Sequence, residues 1–314
     1  MSHGLDSGEQ QPARSQAGGS LSAASAARTP LMGAPDILSG DAGDVTDPWR
    51  RAKRGLGELA FEAIDRVAGT RRRARRLAIE VPSREVLVAG IYRPGSLLPS
   101  ALAELRSARH RVTLVLGAAG RPDSVLGAAT VASGLEGGKF ENLNRVLAEA
   151  AGSEPDWTLV IDDDVRLPYA FLDRFLGVCE AFDLDLAQPA QTLMSHSAWK
   201  VTRRRPASLV RETRFVEIGP VTAFGRRVAS ELIPFPELRY GWGLDLHWAA
   251  LAAERGWRLG VVDALPVRHE HSPVATSYPR KDAEHEAQHF LADHAYLPSA
   301  AAAEVVATHR RARR

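Results

Sequence analysis

The sequence TLVIDDDV, residues 158–165, places three consecutive aspartates directly after a run of strand-forming residues. Three adjacent carboxylates repel one another unless a positive charge offsets them. One aspartate after a buried strand commonly caps the following turn, but three in a row favour a divalent cation bound through oxygen. In an extended chain Asp162 and Asp164 point to the side opposite Asp163. The motif therefore predicts a site for a divalent cation such as Mg²⁺ or Mn²⁺.

A glycine-rich segment, GLEGGKFENLNRVL at residues 134–147, precedes that strand. Gly137 and Gly138 allow the backbone to approach a ligand at the start of a helix, where N–H groups bind anions. Lys139 adds a cation there and Asn144 a neutral hydrogen-bond donor. The segment lacks the spacing of a Walker loop. Two interpretations stay open: a loop that contacts phosphate, or an ordinary loop with a solvated lysine.

An aromatic residue lies between two glycines in RYGWGLDLHW, residues 239–248. Trp242 can stack on a sugar face, and the carboxylate of Asp245 can accept a hydrogen bond from a hydroxyl group. The alternative is that Asp245 caps the following helix while Trp242 fills the core. The flanking glycines, Gly241 and Gly243, favour a binding loop.

The sequence PVRHEHSP, residues 266–273, carries two histidines after a further strand. In an extended chain His269 and His271 point to the same side, with Glu270 opposite. Both are therefore candidate metal ligands. The chain has one cysteine, Cys179, and no HExxH sequence, so these histidines do not indicate a separate zinc site.

The elements that must position these residues alternate between strand and helix. The pattern predicts strands at 84–92, 111–118, 157–164 and 184–190, with helical segments between them and after residue 168. Such alternation is typical of an α/β fold with a parallel sheet covered by helices on both faces. Ligands of such sheets bind beyond the carboxyl ends of the strands, where the three aspartates lie. Residues 215–233 form either a strand pair or a strand followed by a helix.

Composition limits the class of protein. The 314 residues are 45% hydrophobic, which allows a sizeable core, and the formal net charge of +2 does not suggest a nucleic-acid partner. No apolar run approaches the roughly 20 residues of a membrane-spanning helix, and the N-terminus lacks a signal-peptide pattern. We therefore expect a cytoplasmic protein.

The two ends of the chain differ from its centre. Residues 1–45 are rich in Ser, Ala, Gly and Pro and are expected to be disordered. Residues 46–80 form a basic helical segment with an apolar stripe, and residues 282–314 are expected to form a helical tail. The run RRRARR at 71–76 either touches anionic lipid at the inner face of a membrane or is a solvated helix end.

Taken in order, these motifs resemble the nucleotide-sugar-dependent glycosyltransferases of the GT-A fold, especially family-2-type members. The resemblance covers roughly residues 84–273: GGKFENLNRVL is similar to the Gly-Lys…Asn helix, VIDDDV to the DxD motif, and the GWG loop, the following acidic residue and the terminal VxH to the acceptor half. It implies an α/β GT-A (nucleotide-diphospho-sugar transferase) domain over 81–281, with a Rossmann-like mixed sheet flanked by helices. The chain departs from the family where GWG is followed by Asp245 alone rather than by adjacent Glu and Asp.

The resemblance also implies roles for individual residues. A divalent cation, Mn²⁺ or Mg²⁺, would be held by Asp162, Asp164 and His269 or His271, and Asp245 would take the proton from an acceptor hydroxyl. Trp242 and Gly243 would bind the acceptor, which would be a glycan, a lipid or a small molecule. The donor, a UDP- or GDP-sugar, would be contacted by Tyr92, Arg93, Lys139, Asn144, Asp162 and Asp163.

Two other functions remain open at this stage. A sugar-phosphate nucleotidyltransferase can share this sheet and an acidic metal pair, but it typically carries an early glycine-rich motif that GIYRPGS does not provide. A non-catalytic carbohydrate-binding module on the same fold is the second alternative. The presence of Asp162, Asp164, Asp245 and the histidines together argues against a decayed site.

Overall fold

The structure, a computed structural model of the chain, describes residue 1, residues 47–270 and residues 278–312. The disorder predicted for residues 1–45 and the ligand role predicted for His271 therefore fall outside the described residues, apart from residue 1. The helices are α1 (Pro48–Ala68), α2 (Thr70–Glu80), α3 (Leu98–Leu105), α4 (Lys139–Ala148), α5 (Phe171–Ala181), α6 (Arg226–Leu232), α7 (Leu244–Arg255), α8 (Arg280–Asp293) and α9 (Ser299–Ala302). The strands are β1 (Glu85–Tyr92), β2 (Arg111–Ala118), β3 (Thr130–Ala132), β4 (Trp157–Ile161), β5 (Val165–Arg166), β6 (Leu186–Gln191), β7 (Val210–Thr213), β8 (Val221–Gly225), β9 (Leu259–His269) and β10 (Val305–His309).

The sheet is mixed, as predicted. Its strand order is β10-β7-β9-β6-β8-β4-β1-β2-β3, and β5 pairs separately with β9. Strands β1 to β4 run parallel, β8 lies antiparallel between β4 and β6, and β6 is parallel to β9. The antiparallel strands β7 and β10 complete the other edge.

Helices cover both faces of this sheet. Alternate residues of β1 belong to two separate apolar clusters: Val86 and Val88 to the one that includes α3 and α5, Leu87 and Ala89 to the one that includes α4 and α7. Because neighbouring side chains of a strand point to opposite faces, the two clusters lie on opposite sides of the sheet. The α/β architecture flanked by helices is therefore confirmed.

The register of the strands brings separate parts of the sequence to one edge. In the parallel pair of β1 and β4, Gly90 lies opposite Ile161, the last residue of β4, and β1 ends two residues later at Tyr92. Strand β8 runs the other way, with Val221 opposite Ile161, so the residues just before β8 lie at this same edge. Strand β9 reaches it too, because His269 pairs with Val165 just after the aspartates. This edge is the carboxyl end of the parallel strands, where α/β proteins bind ligands.

Several predicted boundaries need correction. The strand predicted at 157–164 ends at Ile161, since the aspartates leave the sheet to bond with other loops. Of the two alternatives predicted for residues 215–233, the structure shows the strand followed by a helix, β8 and α6. The C-terminal tail is not wholly helical, because Val305–His309 forms β10 against β7.

The N-terminal basic segment contains two helices that meet at Gly69, whose left-handed conformation (φ 68°) ends α1. Helix α2 packs on α5. Among the described residues, no helix is long and apolar enough to cross a lipid bilayer.

Candidate active site

A cleft of about 490 Å³ opens at the carboxyl edge of the parallel strands. It is lined by residues from the ends of β1, β4 and β9, from the segment before β8, from the start of α4 and from the loop before α7. The predicted site residues among them are Arg93, Lys139, Asp162, Asp163, Asp164, Trp242, Gly243, Asp245 and His269. The fold therefore gathers nine predicted residues in one cavity.

Each aspartate of the triple has its own cationic partner. Asp162 lies 2.6 Å from the Nζ of Lys139, and Asp163 lies 2.7 Å from the Nη2 of Arg93. Asp164 lies 2.8 Å from the Nε2 of His269. The repulsion among three adjacent carboxylates is thus offset by three cations that arrive from three different elements.

Asp162, Asp164 and His269 form a candidate metal site. One ligand atom from each lies within 4.8 Å of the others. The ring Nδ1 of His269 lies 3.1 Å from the carbonyl oxygen of His196. That contact orients the ring and leaves Nε2 directed at Asp164, which is the arrangement that metal-binding histidines use. Gly219 leaves room for this group, because a Cβ there would lie 2.7 Å from the Oδ2 of Asp162 and would displace that carboxylate.

The electrostatics of this group follow from the Asp164–His269 pair. Burial alone lowers the pKa of His269, but its hydrogen bond to Asp164 and the negative charge there raise it to about 9. Burial alone raises the pKa of Asp164, whereas the hydrogen bond and positive charge of His269 bring it below its ordinary value. Without a metal, the pair is therefore an imidazolium bound to a carboxylate at neutral pH.

Asp163 is a positioning residue for Arg93. Its carboxylate accepts two hydrogen bonds from the guanidinium, at 2.7 and 3.0 Å, and a third from the backbone N–H of Arg93 at 2.9 Å. This fork-like pairing fixes the orientation of the guanidinium at the cleft wall.

A second acidic group lies in the same cleft. It consists of Asp245, which was predicted from the sequence, and Glu217, which was not. Glu217 and Asp245 both line the cavity and are almost fully buried. Burial raises the pKa of Glu217 to about 7. Burial, followed by the negative charge of Glu217, raises the pKa of Asp245 to about 8. The pair therefore holds at least one proton at neutral pH, mostly on Asp245.

The contacts of this second group are neutral. The carboxylate of Glu217 accepts hydrogen bonds from the Nε2 of Gln191 at 2.8 Å and from the Oγ1 of Thr202 at 3.1 Å. Asp245 accepts one from the backbone N–H of Leu246 at 3.0 Å. Gly243, rather than Asp245, is the N-cap of α7. A signal for Glu217 was present in the sequence, since it is the one carboxylate in the apolar run FVEIGPV.

The loop that carries Trp242 is fixed by contacts with Tyr278 and with helix α8, which follow it in the chain. The indole N–H of Trp242 donates to the hydroxyl of Tyr278 at 3.0 Å, and its ring packs on Ala283 and Ala287 of α8. Glu286 of the same helix accepts the backbone N–H groups of residues 239, 240 and 241, at 2.7 to 2.9 Å. Helix α8 thus belongs to the site although it lies at and beyond the predicted domain end at 281.

Two predicted donor-contacting residues lie outside the cleft lining. Tyr92 is buried, and its hydroxyl is 2.7 Å from the Oγ1 of Thr130. The Nδ2 of Asn144 donates to the carbonyl oxygen of Phe235, and its Oδ1 accepts from the backbone N–H of Phe235, at 2.8 Å each. Both side chains therefore bond to other parts of the fold. Asn142, two residues before Asn144 in α4, lines the cavity instead.

No protein-family model and no curated protein sequence matches the chain. Among solved structures, it resembles GalNAc-T7 with UDP, GalNAc and Mn²⁺, with 12% identity, a TM-score of 0.44 and coverage of 59% of this chain and 44% of that one. It also resembles TarS 1–349 of S. aureus in complex with UDP-GlcNAc, with 16% identity, a TM-score of 0.45 and coverage of 70% of this chain and 69% of that one. The chain thus spans less than half the length of the GalNAc-T7 chain. Because both TM-scores are below 0.5, the function of the cleft depends on the residues of the cleft itself.

Proposed function

We propose that the chain is a GT-A glycosyltransferase, which moves a sugar from a nucleotide-diphosphate donor to an acceptor hydroxyl with the help of a divalent metal. The observation that carries the proposal is the pairing of two acidic groups in one cleft. One group, Asp162, Asp164 and His269, suits a cation. The other, Glu217 and Asp245, suits proton transfer because its carboxyls titrate near neutral pH.

The donor set fits a divalent metal. Two carboxylates and one imidazole can bind Mn²⁺, whereas Mg²⁺ prefers oxygen ligands alone. Of the two predicted metals, the histidine therefore favours Mn²⁺. When bound, the metal would offset the negative charge that develops on the diphosphate leaving group as the anomeric bond breaks.

Lys139 and Arg93 supply the positive charge that the chain itself brings to the donor. The ammonium of Lys139 contacts Asp162 at 2.6 Å and the carbonyl of Ile218 at 3.1 Å, so it is held at the cleft beside the metal site. Arg93 is held by Asp163 on the adjoining wall. Both cations are suited to contact the phosphates or the nucleoside of a UDP- or GDP-sugar.

Asp245 remains the proposed base for the acceptor hydroxyl, with Glu217 beside it as a second carboxyl. In its ionised form, which forms as the pH rises toward its pKa of about 8, the buried Asp245 is a stronger base than an exposed carboxylate. Trp242 and Gly243 line the cleft next to Asp245, and they would contact the acceptor. The acceptor hydroxyl would thus lie between the Trp242 loop and Asp245.

A screen of nucleotide sugars by thermal unfolding tests the proposal. With Mn²⁺ present, the correct donor at a hundred times its dissociation constant should stabilise the fold by about 2.7 kcal/mol. EDTA should abolish that stabilisation. The outcome against the proposal is that UDP- and GDP-sugars all leave the unfolding temperature unchanged with Mn²⁺.

Product analysis separates the alternatives. Incubation with the stabilising donor and a panel of acceptors should release the nucleoside diphosphate and form a glycoside. Formation of a nucleotide sugar from a sugar phosphate and a nucleoside triphosphate would indicate a nucleotidyltransferase instead. Stable binding without any turnover or donor hydrolysis would indicate a binding module.

A further inference from the structure

Helix α1 exposes a row of large apolar side chains. Trp49 is 84% exposed, Leu56 70%, Leu59 69% and Val67 91%. At 3.6 residues per turn these positions fall on one side of the helix. A helix on the surface of a soluble protein usually turns such a side toward the core.

The opposite, polar side of α1 is the side that faces the protein. Glu58, Glu62 and Asp65 all form ion pairs with Arg204, whose side chain is fully buried; the Glu62 pair is 2.8 Å long. A buried guanidinium without its carboxylates would be strongly unfavourable, so this cluster fixes the rotation of α1 about its axis. The apolar row is therefore held outward by the ion pairs behind it.

The exposed charges around the row are basic. Arg50, Arg51, Lys53 and Arg66 are exposed on α1, while its carboxylates are those that face Arg204. Helix α2 follows directly and exposes further arginines at 72, 75 and 76. A basic helix with one wide apolar side and a tryptophan has the chemistry of a helix that lies in the interface of a bilayer.

We propose that α1 binds the surface of an anionic lipid bilayer, with its apolar side in the interface and its basic residues at the headgroups. Charge complementarity favours this occupant. A second copy of the chain would bring one basic surface against another, and an uncharged surface would leave the basic residues without partners. The inference does not depend on the proposed glycosyl transfer.

Trp49 provides a direct reporter of this contact. The other five tryptophans are buried, none more than 7% exposed: Trp157, Trp199, Trp242, Trp248 and Trp257. Vesicles of phosphatidylcholine with 30% phosphatidylglycerol should protect the fluorescence of the full chain from acrylamide, and brominated acyl chains in the same vesicles should quench it. The Trp49→Phe variant should lose both effects.

A matched pair of substitutions tests the position of the contact. Val67→Glu places a carboxylate in the apolar row, and Val125→Glu places one at an exposed valine (62%) outside α1. In vesicle sedimentation, Val67→Glu should weaken binding at least tenfold, while Val125→Glu stays within twofold of the unmodified chain. Both sites are exposed, so both variants should fold, which thermal unfolding checks.

The contribution of charge to vesicle binding is tested by changing the lipid headgroups and by removing basic residues from α1. Binding to pure phosphatidylcholine vesicles should be at least tenfold weaker than to the anionic vesicles, and Lys53→Gln with Arg66→Gln should reduce that difference. Equal binding to both vesicles, no binding to either, or equal losses for Val67→Glu and Val125→Glu would overturn the proposal. A dimer in solution that Val67→Glu dissociates, without vesicle binding, would identify a second copy as the occupant and would overturn it too.

Discussion

Two acidic groups share one cleft, and they are stabilised in opposite ways. The aspartate triple has a cation at 2.6 to 2.8 Å from each carboxylate. Glu217 and Asp245 instead accept hydrogen bonds from an amide, a hydroxyl and a backbone N–H. The pKa of Asp164 is accordingly lowered, while those of Glu217 and Asp245 are raised to about 7 and about 8.

Burial alone does not decide the charge of a carboxyl group in this cleft. Asp164 and Asp245 both have little exposed surface, 4% and 5%. Burial raises the pKa of both carboxyls; at Asp164 the hydrogen bond and positive charge of His269 outweigh it, whereas at Asp245 the negative charge of Glu217 adds to it. In the proposed function, the aspartate triple with His269 is the cation side of the cleft, and Glu217 with Asp245 is its proton side.

The largest expected effect comes from breaking the cation side. Asp164→Ala removes a proposed ligand and leaves His269 without its partner, so we expect Mn²⁺-dependent donor stabilisation to disappear. Loss of several kcal/mol of charge stabilisation should reduce transfer by about 10⁴-fold. Asp293→Ala, at an exposed position of α8, is the control and should change neither measurement. Unchanged donor binding with Mn²⁺ in Asp164→Ala would remove Asp164 from the metal site.

Breaking the proton side should separate binding from chemistry. Asp245→Asn keeps the size of the side chain but cannot accept a proton, so transfer should fall by about 10³-fold, within the usual range for a general base. Donor stabilisation by Mn²⁺ and nucleotide sugar should stay within a factor of about two. Kinetics with a saturating donor measure the first quantity and thermal unfolding the second.

Glu217→Gln completes that experiment. If Asp245 is the base, Glu217→Gln should slow transfer less than Asp245→Asn, because Glu217 acts mainly through its charge on Asp245. The reverse order of effects would assign the base to Glu217. Full activity in both variants would show that neither carboxyl takes the proton.

The sequence predicted which residues gather beside the aspartate triple. The DxD-like run pointed to Asp162 and Asp164, the resemblance to the terminal VxH added His269 or His271, and the structure places His269 beside both aspartates. The ion pair of Asp163 with Arg93 was harder to predict from the sequence, because it depends on the register between β1 and β4.

The proton side required tertiary structure. Glu217 reaches the cleft because β8 runs antiparallel and starts where β4 ends, a reversal that strand–helix alternation does not reveal. Asn144 was predicted at the cleft from its place after Lys139, yet the helical rotation directs its side chain to the backbone of Phe235. Glu286 was missed since it contacts the GWG loop across 45 to 47 residues of sequence.

Binding of Mn²⁺ should depend on pH with a defined sign. His269 has its pKa raised to about 9, so at neutral pH the metal must displace a proton from its imidazolium. Between pH 7 and pH 8 the dissociation constant for Mn²⁺ should therefore fall about tenfold, with release of about one proton. Calorimetry in two buffers of different ionisation enthalpy measures both. A pH-independent dissociation constant would contradict the Asp164–His269 assignment.

The smallest expected effect is on stability, and it concerns Asp245 in the metal-free chain. Its pKa is raised to about 8 from an ordinary 3.8, so the folded state holds more protons than the unfolded state between those values. Stability should accordingly fall as pH rises through that window, by up to about 1.4 kcal/mol per unit for one proton. Asp245→Asn removes this dependence. Denaturant unfolding at pH 5 and pH 8 should show that the variant loses less stability than the unmodified chain, by about 1 kcal/mol or more. Equal losses would mean that Asp245 is ionised in the folded state, and the contrast between the two acidic groups would then be wrong.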